Sequence, residues 1–237
     1  MDSTFVVGID VGGQTSKLGV VDARGAVLAQ TVIRTDTYSE VEPYIAELAE
    51  AVKKIIRESG TEGKVRGIGV GAPNGNYYTG TIENAPNLLW GRQRVEFAKL
   101  LSEAMDGLPV ALTNDANAAA VGEMTYGAAR GMKNFIMITL GTGVGSGIVI
   151  NGEVVYGHDG FAGELGHVAA VRNNGRTCGC GKTGCLETYA SATGVARTAR
   201  EWLELSDEPS VLRSLDTIAS KDVYEAAKEG DRLALKI

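Results

Sequence analysis

The chain has 237 residues, 44% of them hydrophobic and 22% charged, with a net charge of −6. That length gives one large domain or two smaller ones with a self-sufficient core, and the acidic balance argues against nucleic acid as the main partner. The opening residues lack a basic segment followed by an apolar run, and no stretch of about 18 apolar residues occurs, so neither a signal peptide nor a membrane helix is expected and a cytoplasmic location is.

Apolar runs predict short strands over 5–11, 17–22 and 26–33, joined at Gly12-Gly13 and Ala23-Arg24-Gly25 as an antiparallel meander. The first turn, Asp10-Val-Gly-Gly13-Gln-Thr-Ser-Lys17, sets a carboxylate at a strand end before glycines. Backbone N–H groups in such turns can cradle phosphate, and the carboxylate then calls for a bridging cation such as Mg2+. An ordinary hairpin turn is the plain alternative. Ser39 followed by Glu42 reads as a capping box opening a helix to about residue 59. A buried strand is expected over 65–71, a helix over 95–105 and a strand over 109–113. The segment 72–90 reads as a long loop of the functional or disordered kind. Just before it, Gly67-Ile-Gly-Val-Gly-Ala72 fits a dinucleotide fingerprint only until Pro73, where the required helix does not start.

Asn114-Asp115-Ala-Asn117 stands where a strand meets a helix predicted over 116–126. Asp115 there can be a cap or a base that accepts the hydroxyl proton in phosphoryl transfer. A helix N-terminus is expected to lower its pKa. A second strand pair, 135–140 and 146–150, flanks Gly141-Thr-Gly-Val-Gly145, where Thr142 offers a hydroxyl among free amides. The strand–turn–strand opening thus occurs twice. It reads as two related α/β domains, 1–113 and 114–237, with a cleft in which the two turns clamp a polyphosphate.

Residues 163–187 hold all three cysteines and one of the two histidines. His167, Cys178, Cys180 and Cys185 form a tetrahedral set of the kind that selects structural zinc. A disulfide framework needs an even count, and buried unrelated cysteines would not sit among Gly, Lys and Thr. Gly181-Lys-Thr183 resembles the tail of a phosphate-binding loop, but the glycine that loop requires falls on Arg176. Glu164 and Glu187 flank the metal set. With Asn87, Asn114 and His167 they suit a ligand covered with hydroxyls. Helices are expected over 194–205, 220–229 and from 232 on. The last one stops without a Gly or Pro terminator, so the chain reads as cut short.

Asp10-X-Gly-Gly, Asn114-Asp-Ala-Asn-Ala, Gly141-Thr-Gly-X-Gly, Gly163-Glu-Leu-Gly-His and Cys-X-Cys-X4-Cys-Leu-Glu together resemble the ROK family of sugar kinases and repressors. Gly71-Ala-Pro-Asn and Glu83-Asn-Ala-Pro-Asn87-Leu resemble its glucokinase branch. The resemblance implies an α/β fold of two actin-like (ribonuclease H-like) domains, the second incomplete. It implies ATP-dependent phosphorylation of a hexose, glucose first, with N-acetylhexosamine or fructose as alternatives and polyphosphate as a second possible donor. Asp115 would be the general base. Asn87, Asn114, Asp115, Glu164, His167 and Glu187 would bind sugar. Asp10, Gly12, Gly13, Gln14, Thr15, Thr142 and Gly143 would meet the phosphates and Mg2+. His167, Cys178, Cys180 and Cys185 would hold Zn2+. Gln14 departs from the threonine usual there, with Thr15 as a substitute hydroxyl. A homodimer is implied, and no nucleic acid or membrane partner. A repressor would carry a DNA-binding helix-turn-helix ahead of the first strand, and with that strand read from Phe5 and an acidic charge a repressor is not the expected reading. A truncated, non-catalytic sugar-binding module is the remaining alternative.

Overall fold

In the computed structural model, which describes residues 4–237, period-two alternation builds the first sheet. Val7, Ile9 and Val11 of β1 (Phe5–Val11) and Leu18 and Val20 of β2 (Thr15–Asp22) share one buried face. β3 (Val27–Arg34) continues the antiparallel meander. Onto the buried face α1 (Val41–Glu58) lays Tyr44, Leu48, Val52 and Ile55 at helical spacing. The capping box expected at Ser39 does not form. The N-cap is Glu40, without a side-chain cap bond. The reason is Pro43: a start at Ser39 would put it at the first position that must donate to the helix ladder, whereas from Glu40 it lies among the donors that have no partner anyway.

β4 (Val65–Ala72) runs parallel to β1. The expected loop that follows contains a small hairpin, β5 (Gly75–Asn76) and β6 (Thr81–Ile82). It is then pinned by buried Leu88 and by Trp90, which stacks on Tyr44 at 5.0 Å. α2 (Phe97–Ala104) leads to β7 (Val110–Asn114), parallel to β4, and directly into α3 (Asp115–Tyr126). The sheet order is β3-β2-β1-β4-β7.

β8 (Phe135–Leu140), β9 (Val144–Ile150) and β10 (Glu153–Val154) form a second sheet, order β10-β9-β8. α4 (Glu187–Ala190), α5 (Ala192–Leu205) and α6 (Ser220–Lys228) follow. Ala199, Leu212, Val223 and Leu233 form their core. Past residue 232 there is a 3-10 turn, Ala234–Lys236, in place of the expected helix.

The α/β class is as expected. By its contacts the chain divides into two compact units. The first runs to Met137 and takes up Gly147–Gly163; the second is Ile138–Ser146 with Glu164–Ile237. This differs from a division after residue 113, because α3 packs on β4 and β7 and so belongs to the first unit. Gly71 permits that packing: a Cβ there would lie 3.1 Å from Ala118 Cβ and 3.4 Å from Asp115 Cα.

Candidate active site and zinc-ligating cluster

In the first unit, strand ends gather the polar residues. Asp10 is exposed near the end of β1 and pairs in register with Gly71 of β4, and Ala72 pairs with Asn114 of β7. Asn114 is the N-cap of α3, its Oδ1 accepting from the Ala116 N–H at 2.8 Å. Asp115 Oδ1 accepts from the same N–H at 2.9 Å. Asp115 keeps access to solvent, yet protein encloses most of its other sides. Burial therefore raises its pKa above the usual carboxylate value, the Ala116 N–H opposes this, and the Asp10 charge adds to it. The net direction is opposite to the lowering expected of a helix N-terminus, because loss of hydration outweighs the Ala116 N–H bond.

The turn after Asp10 is brought to Asn87. A Cβ on Gly13 would lie 2.8 Å from the Asn87 carbonyl oxygen, so only glycine lets the two backbones meet. Gly12 donates its N–H to the Thr15 carbonyl at 3.0 Å, and the Gln14 carbonyl accepts from Thr35 N–H at 2.8 Å. Gly12 thus holds the turn's shape instead of offering a free amide. The side chains of Gln14 and Asn87 are exposed, and Thr15 is half-buried.

In the second unit, the turn around Thr142 and Gly143 is also internally braced. Gly141 donates to the Gly143 carbonyl at 3.0 Å, Ala192 N–H donates to Gly141, and Thr193 Oγ1 donates to the Thr142 carbonyl at 3.2 Å. Glu187 Oε2 accepts from Val144 N–H at 3.0 Å. The expected row of free amides is accordingly reduced, since the Gly141 and Val144 donors are both engaged. Thr142 remains exposed. Gly166 packs closely on the Val144 carbonyl, and Ser146 Oγ accepts from Leu165 N–H at 3.2 Å. Glu187 and the Glu164–His167 turn therefore both converge on the start of β9. Glu164 itself is exposed. Val144 and Ser146, which make this convergence, carried no motif signal beyond their place in a glycine-rich turn.

The ligand atoms of His167, Cys178, Cys180 and Cys185 all lie within 4.8 Å of one another. Cys178 Sγ is 3.6 Å from His167 Nδ1, and Cys180 Sγ is 3.7 Å from Cys185 Sγ. A tetrahedron with zinc bonds of about 2.0–2.3 Å sets its donors roughly 3.5–3.8 Å apart, so these two pairs already stand at that spacing, and the donor set of three thiols and an imidazole suits zinc. The loop is shaped for it: Cys178 N–H donates to the Lys182 carbonyl at 2.8 Å and Gly181 takes φ +87. Burial and the neighbouring thiols of Cys180 and Cys178 push the Cys185 thiol up to about 11, while the Lys182 backbone N–H lowers Cys180. A cation would relieve that crowding of sulfurs. Cys178 also lies 3.8 Å from Glu187 Oε1, which ties the cluster to the turn at Val144.

Comparison with known proteins agrees with these motifs. The ROK family model matches residues 6–237. A glucokinase of Halalkalibacterium halodurans is 40% identical over the whole chain, which spans 72% of that relative's length. A ROK family glucokinase of Streptomyces griseus, solved with glucose and AMPPNP, is 35% identical with a TM-score of 0.74, covering 98% of this chain and 73% of its own. A ROK hexokinase of Thermus thermophilus is 34% identical with a TM-score of 0.79, covering 98% of this chain and 72% of its own. With the family match running from β1 to the last residue, the chain belongs to the ROK family.

Proposed function

We propose that the chain is a hexokinase-type sugar kinase that transfers the γ-phosphoryl group of ATP to a hexose, glucose at its 6-hydroxyl. The observation that carries this reading is Asp115, solvent-accessible at the start of α3, its Oδ1 accepting from the Ala116 N–H and its Cα packed beside Gly71. The glucokinase relative and the structure holding glucose with AMPPNP support the same choice of substrate and donor.

Asp115 accepts the proton of the attacking hydroxyl. The sugar oxygen forms a bond to the γ-phosphorus, the bond from that phosphorus to the β–γ bridging oxygen breaks, and ADP leaves. A raised pKa makes Asp115 a better proton acceptor than an ordinary aspartate. Asp10 is the exposed carboxylate suited to Mg2+, which takes one or two carboxylates beside substrate phosphates. When bound, Mg2+ neutralises charge on the β- and γ-oxygens. Thr142, Gly13 and Gly143 are assigned to phosphate, with Gly12 shaping the first turn. Asn87, Asn114, Glu164, His167 and Glu187 are assigned to sugar hydroxyls, and the zinc set to holding the loop before Glu187. No helix among the described residues is long and apolar enough to cross a membrane. The reading carries with it a homodimer in the cytoplasm.

The test is coupled ADP release by this chain over glucose, fructose, mannose and N-acetylhexosamines, with ATP and polyphosphate as donors and light scattering for the assembly. Glucose-dependent ADP release is expected. Release that favours an N-acetylhexosamine or fructose reassigns the sugar. Sugar binding without any release would leave a binding module in place of a kinase.

A further inference from the structure

The second unit contains a nearly buried cation that the reading above does not use. The Arg176 side chain is only 9% exposed. Its Nη1 donates to the carbonyls of Thr188 at 2.7 Å and Gly194 at 3.3 Å. Its Nη2 donates to Thr198 Oγ1 at 2.9 Å and to Glu201 Oε2 at 2.6 Å. The guanidinium lies 4.5 Å from the centre of the Tyr189 ring, and the Tyr189 hydroxyl accepts from the Arg176 backbone N–H at 2.9 Å. One residue is thus clamped through both its backbone and its side chain.

The clamp falls at an informative place. α4 is a single turn, too short to persist by itself, and the Thr188 carbonyl is one of those a helix end leaves without a partner. Cys178 follows Arg176 by two residues, and Cys185-Leu186 leads straight into Glu187. The bond from Arg176 to Thr188 therefore closes the base of the loop carrying the three cysteines, and it does so beside Glu187. Gly194 packs on the same spot, where a Cβ would lie 2.8 Å from the Thr188 backbone. We propose that Arg176 is a positioning residue for Glu187 and, through the Glu187–Val144 bond, for the Thr142 turn. The planar fork is required because the acceptors lie in different directions on α4 and α5; a lysine reaches fewer of them.

This inference rests on the assignment of Glu187 to sugar binding, so the wild-type chain and Glu187→Gln are measured beside Arg176→Lys and Glu201→Gln. The readouts are zinc per chain, Tm, glucose affinity by calorimetry, and KM against kcat. Arg176→Lys is expected to keep its zinc and melt cooperatively, to weaken glucose binding and raise KM about tenfold, as loss of an outer-shell partner does, and to change kcat less than KM. Glu201→Gln should move the same quantities in the same direction by less. Unchanged glucose affinity in a folded, zinc-loaded Arg176→Lys overturns the proposal, as does a fall in Tm alone. If Arg176→Lys does not fold, Glu201→Gln decides by the same criterion. Failure of the wild-type chain to bind glucose, or an ineffective Glu187→Gln, instead sinks the assignment of Glu187.

Discussion

The charge of Asp10 raises the proton affinity of Asp115. The pair arises from strand register: Asp10 lies opposite Gly71, and the side-chain position of Gly71 is 3.4 Å from the Asp115 Cα. Burial of Asp115 is the larger cause of the shift, with Asp10 an addition to it. Both favour the neutral acid, so kcat/KM should fall as pH drops through a value above the ordinary aspartate range. Asp10→Asn removes the like charge, and the acid limb of the remaining activity should move to lower pH. A limb that stays in place, measured over a pH series, would show that Asp115 is not the group being titrated.

Asp115→Asn keeps the bond from Ala116 N–H but deletes the base, so kcat should fall about 10²–10⁴-fold while glucose binding persists. Stability should change in the opposite sense. Because the folded-state pKa is raised, the native protein binds protons that the unfolded chain releases. That stability is fully present below the unfolded pKa and is lost as pH rises through the folded one. Asparagine mimics the protonated form, so the variant should have a higher Tm than wild type at pH 7, with the gap closing toward pH 3. Calorimetry at both pH values checks this, and a lower Tm at pH 7 contradicts it.

Gly13→Ala should damage the site through Asn87. The added methyl would stand 2.8 Å from the Asn87 carbonyl, which is backbone and has little room to yield. Overpacking of this kind costs about 1–3 kcal/mol, and the displaced loop should raise the glucose KM. Gly8→Ala, one strand residue on the open side with nothing within 4 Å of its Cβ, is the matched control and should be neutral or slightly stabilising. Equal effects of the two substitutions would show that the approach of Asn87 does not set the requirement.

The polar triplet under the first turn gives a further stability test. Ser16 Oγ lies 2.6 Å from the Tyr44 hydroxyl and 2.8 Å from Thr35 Oγ1, all of them buried. Burial outweighs these bonds and pushes the Tyr44 hydroxyl up to about 12. Tyr44→Phe leaves Ser16 with Thr35 and should cost about 1 kcal/mol. Ser16→Ala removes the partner that both buried hydroxyls share and should cost more, about 1–3 kcal/mol. Urea denaturation of both variants gives the order, and a larger loss for Tyr44→Phe would refute it.

Much of this was legible from residue order because periodicity and glycine turns are local signals. The main strands fall within a residue or two of their expected bounds, and the five-stranded sheet follows from them. The two-residue strands β5 and β6 are too short to show a period. Ser39 misled because the capping signal is local, whereas Pro43 decides the helix start from four residues on. The placement of α3 depends on Gly71 meeting Ala118, a contact between distant segments. The motif residues were readable, yet the engagement of the Gly12, Gly141 and Val144 amides was not, since backbone bonds inside a turn leave no trace in residue type. Arg176 stood in the sequence as the residue that spoiled a phosphate-loop match, and its partners on α4 and α5 became visible only once folded.

The buried Cys185 thiol, pushed up to about 11, is protonated at neutral pH when no cation is present. Zinc binds thiolates, so uptake must release a proton there, and affinity should weaken about tenfold for each unit the pH is lowered, per proton displaced. Calorimetric titration in buffers of different ionisation enthalpy counts those protons. Cys185→Ser should release fewer and bind far less zinc. A structural site of this kind contributes on the order of 10 kcal/mol to folding, so chelation should melt the loop that Cys178 and Glu187 share, and glucose affinity should fall with it. Full glucose affinity in a zinc-free chain would separate the cluster from the site and leave the sulfurs with no part in holding Glu187.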